Sequence, residues 1–134
     1  MPSKRSISYS FQNPLVLPNL SVRENILFSK ENNSKLFNEL CELLDVTVLL
    51  DKNGLTLSGG QKQRVNVIRA LINESKIILL DEPFSGLDQD LSDKLVRFLI
   101  EYSKEYSKYI FVVTHNISIR ERLCDVYLKI SEKA

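Results

Sequence analysis

There is no tryptophan in this 134-residue chain, one methionine, one histidine and two cysteines. Cys41 and Cys124 have no metal-ligand spacing and no cysteine-rich framework around them, so a disulfide scaffold or a zinc site is excluded. They read as buried thiols in a reducing compartment. Long hydrophobic runs are missing too. Ile77–Leu80 and Tyr109–Val113 are the longest, far too short to cross a bilayer. MPSKRSISYS at the N-terminus has no apolar core of the kind a secretory signal needs. Nor is there an excess of either charge: 18 basic and 17 acidic residues give a net +1, which offers no electrostatic footprint for nucleic acid or an anionic membrane. No heptad is sustained and no repeat of domain scale is visible. At 43% hydrophobic and 26% charged, the chain is ordinary material for one folded domain.

What is present alternates between strand and helix. Ile7–Phe11 reads as a strand, 13–19 as a proline- and asparagine-bearing loop. Ser21 and Glu24 make a capping box at a helix start, and after the polar stretch 30–33 a second helix runs from Ser34 to Leu44, with Leu36, Phe37, Leu40, Leu43 and Leu44 on one face. A second capping box, Ser58 and Gln61, opens a helix to about Asn73 with Val65, Ile68, Leu71 and Ile72 inward. Lys76–Asp81 and Tyr109–Thr114 are continuous apolar strands, the pattern of parallel strands covered on both faces. Asp88 caps a helix carrying Leu91, Leu95, Phe98 and Leu99. A short helix over 118–123 and a last strand over 125–130 complete an α/β layering. The echo EYSKEYSK (101–108) reads as a solvated helix end.

Two glycines opening a helix weaken it, at about 1 kcal/mol each relative to alanine in a helix interior. Their benefit is a bare helix N-terminus. Unpaired N–H groups and the positive end of the macrodipole let an anion such as phosphate approach Ser58-Gly59-Gly60-Gln61 closely, with the Ser58 hydroxyl and Gln61 amide as further donors. About twenty residues on, the strand ending Asp81-Glu82 delivers two carboxylates to the edge where α/β proteins place ligands. Adjacent strand side chains point to opposite sides, so one carboxylate suits a Mg²⁺ shell and the other a water. Ser85-Gly86-Leu87-Asp88 forms a turn and cap, and His115 directly follows the Tyr109–Thr114 strand.

Gln12, LSGGQ (57–61), ILLDEP (78–83), SGLD (85–88) and His115, in that order, resemble the nucleotide-binding domain of ABC transporters, over essentially the whole chain. The stretch LPNLSVRENILF is similar as well. The resemblance implies a partial P-loop NTPase fold: a parallel sheet flanked by helices, with a helical subdomain and lead-in over about 13–57, and the signature helix, Walker B strand, D-loop and switch histidine over 58–134. It implies ATP and Mg²⁺ as cofactors. Gln12 would sense Mg²⁺ and the coupling contact. Ser58, Gly59, Gly60 and Gln61 would clasp the γ-phosphate bound by a second ABC ATPase subunit in a head-to-tail dimer. Asp81 would hold Mg²⁺ through its waters, and Glu82 would polarise the attacking water. Asp88 would cross the dimer interface, and His115 would contact the γ-phosphate. The implied role is ATP hydrolysis powering transport through a separate membrane subunit, at the inner face of the cell membrane in the cytoplasm, with no nucleic acid partner.

One departure is large. A phosphate-cradling loop needs G-x-x-x-x-G-K-[ST], and none of Gly54, Gly59, Gly60 and Gly86 is followed by lysine. Lys4–Phe11 reads as a natural approach to Gln12, so the expectation is a truncated chain, ahead of a reading frame that lost its start or a lobe supplied by a second polypeptide. Without that lobe the isolated chain is expected to be inactive, with an open sheet edge and uncovered apolar surface. Two other classes share parts of the pattern. The C-terminal lobe of an SMC-like DNA-repair ATPase has a signature and Walker B, but a coiled-coil entry and no Gln12 equivalent on the same segment. A non-catalytic ABC-like interaction module would also lack the P-loop, but intact Glu82 and His115 argue against it.

Overall fold

The computed structural model describes residues 7–11, 15–28, 34–73 and 75–123. In chain order these form β1 (Ile7–Ser10), α1 (Val22–Leu27), α2 (Ser34–Leu43), single 3-10 turns at Thr47–Leu49 and Gly54–Thr56, α3 (Gly59–Leu71), β2 (Ile77–Asp81), α4 (Gln89–Glu105), β3 (Tyr109–Val113) and α5 (Ile117–Leu123). Gln12, Cys124 and the strand expected over 125–130 lie outside the described residues. No described helix is long and apolar enough to cross a membrane.

The three strands make one parallel sheet in the order β1-β2-β3, with Ile7, Ile77 and Tyr109 in register at one end and Ser10, Leu80 and Val112 near the other. α3 is the central support. It packs on β1 and β2 and also meets α1 and α2, while α4 lies against β3. Its expected inward residues Val65, Ile68, Leu71 and Ile72 are buried, and so are Val67 and Ala70 on its flank, because elements press on it from several sides. On α2, Leu36, Phe37, Leu40 and Leu44 are buried as their spacing predicts, with Leu43 partly so.

The sheet itself corrects the sequence reading. Among the described residues its strands are covered on one face only. Ile78 and Leu80 face the helices and are 0% and 1% exposed. On the opposite face Ile7, Tyr9, Phe11, Tyr109, Phe111 and Val113 are each between 45% and 60% exposed. An unbroken apolar run says that both faces want cover, not that both have it. Among the described residues no helix lies on the second face, and the uncovered apolar surface implied by the resemblance is there.

The 101–108 echo is also only partly a solvated end. α4 continues to Glu105, and Tyr102 is 5% exposed. Its ring lies 5.2 Å from Phe98 and 5.0 Å from Tyr106, and its hydroxyl donates to the Leu71 carbonyl. That carbonyl belongs to the last turn of α3, where helix acceptors lack partners.

Both capping boxes form. Ser21 and Glu24 exchange hydrogen bonds of 3.1 and 2.7 Å at the start of α1, and the Ser21 partners hold the Glu24 carboxyl below its ordinary value. Asn25, in the next position, is fully buried. Its Oδ1 accepts from the Leu17 amide, and its Nδ2 donates to the carbonyls of Leu17, Leu20 and Ser21. One side chain thereby fixes the loop 15–21 onto α1. Cys41 is buried and free, and burial pushes its thiol up to about 11.

Candidate functional site at the carboxyl end of the sheet

β2 ends in Asp81, and the next residue leaves the strand. Glu82 has φ 47°, in the left-handed region, which costs an L-residue with a Cβ about 1–2 kcal/mol. Several bonds hold it there. The Glu82 amide donates to the Val113 carbonyl at 2.8 Å, carrying the β2–β3 ladder one step further. The Glu82 carbonyl accepts from the Ser85 amide at 3.2 Å and from Gln63 Nε2 at 3.2 Å. Its carboxylate Oε1 accepts from the His115 amide at 3.0 Å, with His115 Nε2 3.4 Å away. Glu82 and His115, far apart in sequence, therefore meet because β2 and β3 are parallel neighbours ending at one level.

Their environments differ sharply. The Glu82 side chain is 14% exposed and the His115 side chain 95%. They sit in a cleft of about 460 Å³, lined also by Ser85, Thr114, Asn116 and Arg122. Arg122 is tied to Asp93 of α4, which lowers the Asp93 carboxyl.

The second part of the site is the start of α3. Ser58 Oγ accepts from the Gln61 amide at 3.2 Å, and Gln61 Oε1 accepts from the Ser58 amide at 2.9 Å. This leaves the Ser58 hydroxyl proton and Gln61 Nε2 as outward donors. A Cβ on Gly59 would meet nothing within 4 Å, so neither packing nor a positive φ requires glycine there. Gly86 is different: its φ of 74° demands glycine, and a Cβ on it would lie 3.5 Å from Gly60 Cα. The signature turn and the 85–88 turn are thus packed together.

Asp88 caps α4, accepting from the Leu91 amide at 2.8 Å. The Asp81 carboxylate is half-buried, with no hydrogen bond or ion pair among the described residues. No group of three or more His, Cys, Asp or Glu side chains is placed to hold a metal among the described residues. Around the segment carrying Gln12, Asn66 Nδ2 donates to Phe11 O at 3.0 Å and Arg69 Nη1 to Leu15 O at 2.8 Å. Burial lowers the Arg69 guanidinium.

Gln63 and Asn66 are the residues that sequence reasoning missed. They lie on the inner side of α3, 4% and 3% exposed. Their helical phase gave no warning: they fall beside Val67 and Ala70, on the arc opposite the expected inward residues Val65, Ile68 and Ile72, and that arc is buried because elements press on α3 from several sides.

A family model described as ABC transporter matches residues 2–85. The molybdenum import ATP-binding protein ModC of Mannheimia succiniciproducens is 38% identical over 132 residues, which cover 98% of this chain and 38% of that protein. ModC of Haemophilus influenzae is 41% identical over 122 residues, covering 90% and 35%. The chain thus spans little more than a third of the length of these relatives. Among solved structures, the dimeric bacterial ABC transporter cassette MJ0796 superposes with a TM-score of 0.76 at 29% identity, over 89% of this chain and 56% of that one. The same cassette in a post-hydrolysis state bound to ADP and Pi gives 0.75. The family model takes in more than half of the chain, including its signature and Walker B segments, and the chain belongs to the ABC transporter family.

Proposed function

We propose that this chain contributes half of a composite ATP site in an ABC transporter. It is a cytoplasmic ATPase component held at the inner face of the membrane by a membrane-spanning subunit. The observation that carries the reading is the Glu82 turn: a shielded carboxylate beside an exposed histidine at the end of a parallel strand, its backbone bonded to β3, to α3 and to the Ser85 amide of its own turn, and its carboxylate to the His115 amide. The relatives' names support import as the direction of transport.

The reaction is transfer of the γ-phosphoryl group of ATP to water, where positioning and charge stabilisation supply most of the catalysis. The His115 amide occupies Glu82 Oε1, which leaves Oε2 to accept a hydrogen bond from the attacking water and orient it. The exposed His115 imidazole donates to a γ-phosphate oxygen, a role its 95% exposure supports. The Asp81 carboxylate, with no protein partner among the described residues, fits a hydrated Mg²⁺, which takes few protein ligands and several waters. Held there, such an ion would supply positive charge against the phosphates of ATP. Gln12 is assigned to the same ion and to the coupling contact.

Ser58, Gly59, Gly60 and Gln61 present their outward donors to a γ-phosphate cradled by the partner ATPase subunit, and Asp88 crosses toward that subunit from the top of α4. The segment 13–57 serves as the helical subdomain that meets the membrane subunit, and 58–134 as the catalytic part. ATP-dependent association tests the reading: in size-exclusion chromatography, a hydrolysis-blocked full-length ABC ATPase subunit should co-elute with this chain with ATP and not without it. Co-elution independent of nucleotide would contradict it.

A further inference from the structure

We propose that Gln63 is a positioning residue for Glu82: from the buried side of the helix behind the signature turn, it holds the Glu82 peptide in the left-handed conformation that aims the carboxylate at the His115 amide. Gln63 is 4% exposed, and its Nε2 donates to the Glu82 carbonyl at 3.2 Å. The amide's orientation is settled by its partner, since a carbonyl can only accept. Its Oε1 is then buried with no hydrogen-bond partner among the described residues. A methionine or leucine would occupy the same space without that desolvation penalty. What the amide offers at this position is its one donation to Glu82.

The geometry explains what the donation does. A non-glycine residue at φ 47° returns to ordinary backbone unless surrounding bonds over-determine it. The Ser85 amide closes the local turn on the same carbonyl, but Ser85 moves with that turn. Gln63 belongs to a separate rigid element. α3 is anchored at Asn66 and Arg69, three and six residues further on, through bonds to Phe11 O and Leu15 O. Gln63 therefore refers the Glu82 peptide to the helix whose first turn carries Ser58, Gly59 and Gly60, and a shift of that helix is felt at the carboxylate.

The functional value of this role rests on the reading of Glu82 as the water-orienting carboxylate. Its test reads geometry alone, so the two can fail separately. Hydrogen–deuterium exchange, resolved to the His115 amide in the full chain at low micromolar concentration, is measured for wild type, Glu82→Ala, Gln63→Met and Gln63→Lys. Glu82→Ala marks a His115 amide without its acceptor. Gln63→Met should raise His115 exchange about fivefold or more, the loss of one hydrogen bond, while the Leu95 and Leu99 amides of α4 stay protected. Gln63→Lys, which restores a donor, should stay within about twofold of wild type. A merely space-filling Gln63 would leave the His115 amide unchanged in Gln63→Met, and that result overturns the proposal. So does His115 exchange in wild type as fast as in Glu82→Ala, or in Gln63→Lys as fast as in Gln63→Met. Should Gln63→Met also lose α4 protection, nuclear Overhauser contacts between the wild-type Gln63 side-chain amide and the Glu82–Pro83 backbone decide it. Their presence upholds the proposal and their absence refutes it.

Discussion

Replacing Asn25 with leucine would test how the loop leading out of the Gln12 segment is held. The two side chains are close in volume, so the cavity contribution is small and the change isolates polar satisfaction. Leucine removes the acceptor of the Leu17 amide (2.7 Å), the acceptor that Arg69 Nη2 approaches at 3.4 Å, and a donor to Ser21 O at 3.0 Å. Two short bonds at about 1 kcal/mol net each, plus about 1 kcal/mol or more for the Leu17 N–H left without a partner, give roughly 2–4 kcal/mol. That is a large part of the 5–15 kcal/mol typical of a domain, and for a chain of this size it lowers Tm by roughly 10 °C. Thermal and urea unfolding followed by circular dichroism measure it, with amide exchange at Leu17 as the local readout. A loss below about 0.5 kcal/mol, with Leu17 still protected, would refute the assignment of Asn25 as the loop's anchor.

Three other outcomes are expected. Ser58→Arg puts a long side chain over the bare start of α3, and should abolish ATP-dependent co-elution with a full-length partner; an unchanged dimer fraction would count against the signature role. Crosslinkers placed between Leu17 and Phe28 should capture a cytoplasmic helix of a membrane subunit, whereas crosslinks confined to 125–134 would contradict the subdomain assignment. Cys41 stays a neutral thiol in the fold to about 11, against an ordinary 9.0. The raised value means its contribution to stability is full below pH 9 and fades between pH 9 and 11 as the thiol ionises only in the unfolded chain. Iodoacetamide at pH 9 should therefore label Cys41 slowly until the chain is unfolded, and rapid labelling of the folded chain would contradict its burial.

The sequence made some features legible because they are local. Both capping boxes are four-residue patterns whose geometry needs no distant partner, and Ser21–Glu24 and Ser58–Gln61 formed as read. The apolar run into Asp81 located the carboxyl end of β2 for the same reason. What stayed hidden depends on partners distant in sequence. Gln63, Asn66 and Asn25 are buried polar residues on helices, and sequence alone does not distinguish them from solvated ones until Glu82, Phe11 and Leu17 arrive beside them. Tyr102 looked like part of a polar echo because its partners, Phe98 and Leu71, lie one helical turn back and on another helix. The exposed sheet face could not be read from strand composition, since Phe111 would have the same neighbours in sequence whether covered or not.

In the proposed function, Glu82 acts on an ATP whose phosphates are cradled by residues this sequence does not supply. Proximity and orientation are worth on the order of 7–11 kcal/mol in well-aligned systems, so a carboxylate without a phosphate cradle should leave hydrolysis near background. The decisive measurement is steady-state ATP hydrolysis by the purified chain, alone and co-expressed with an N-terminal lobe carrying G-x-x-x-x-G-K-[ST] from a full-length relative, each with Glu82 and with Glu82→Gln. The expected result is no Glu82-dependent turnover by the chain alone, and turnover with the added lobe that Glu82→Gln removes. Glu82-dependent hydrolysis by the chain alone, or turnover with the lobe that survives Glu82→Gln, would contradict it.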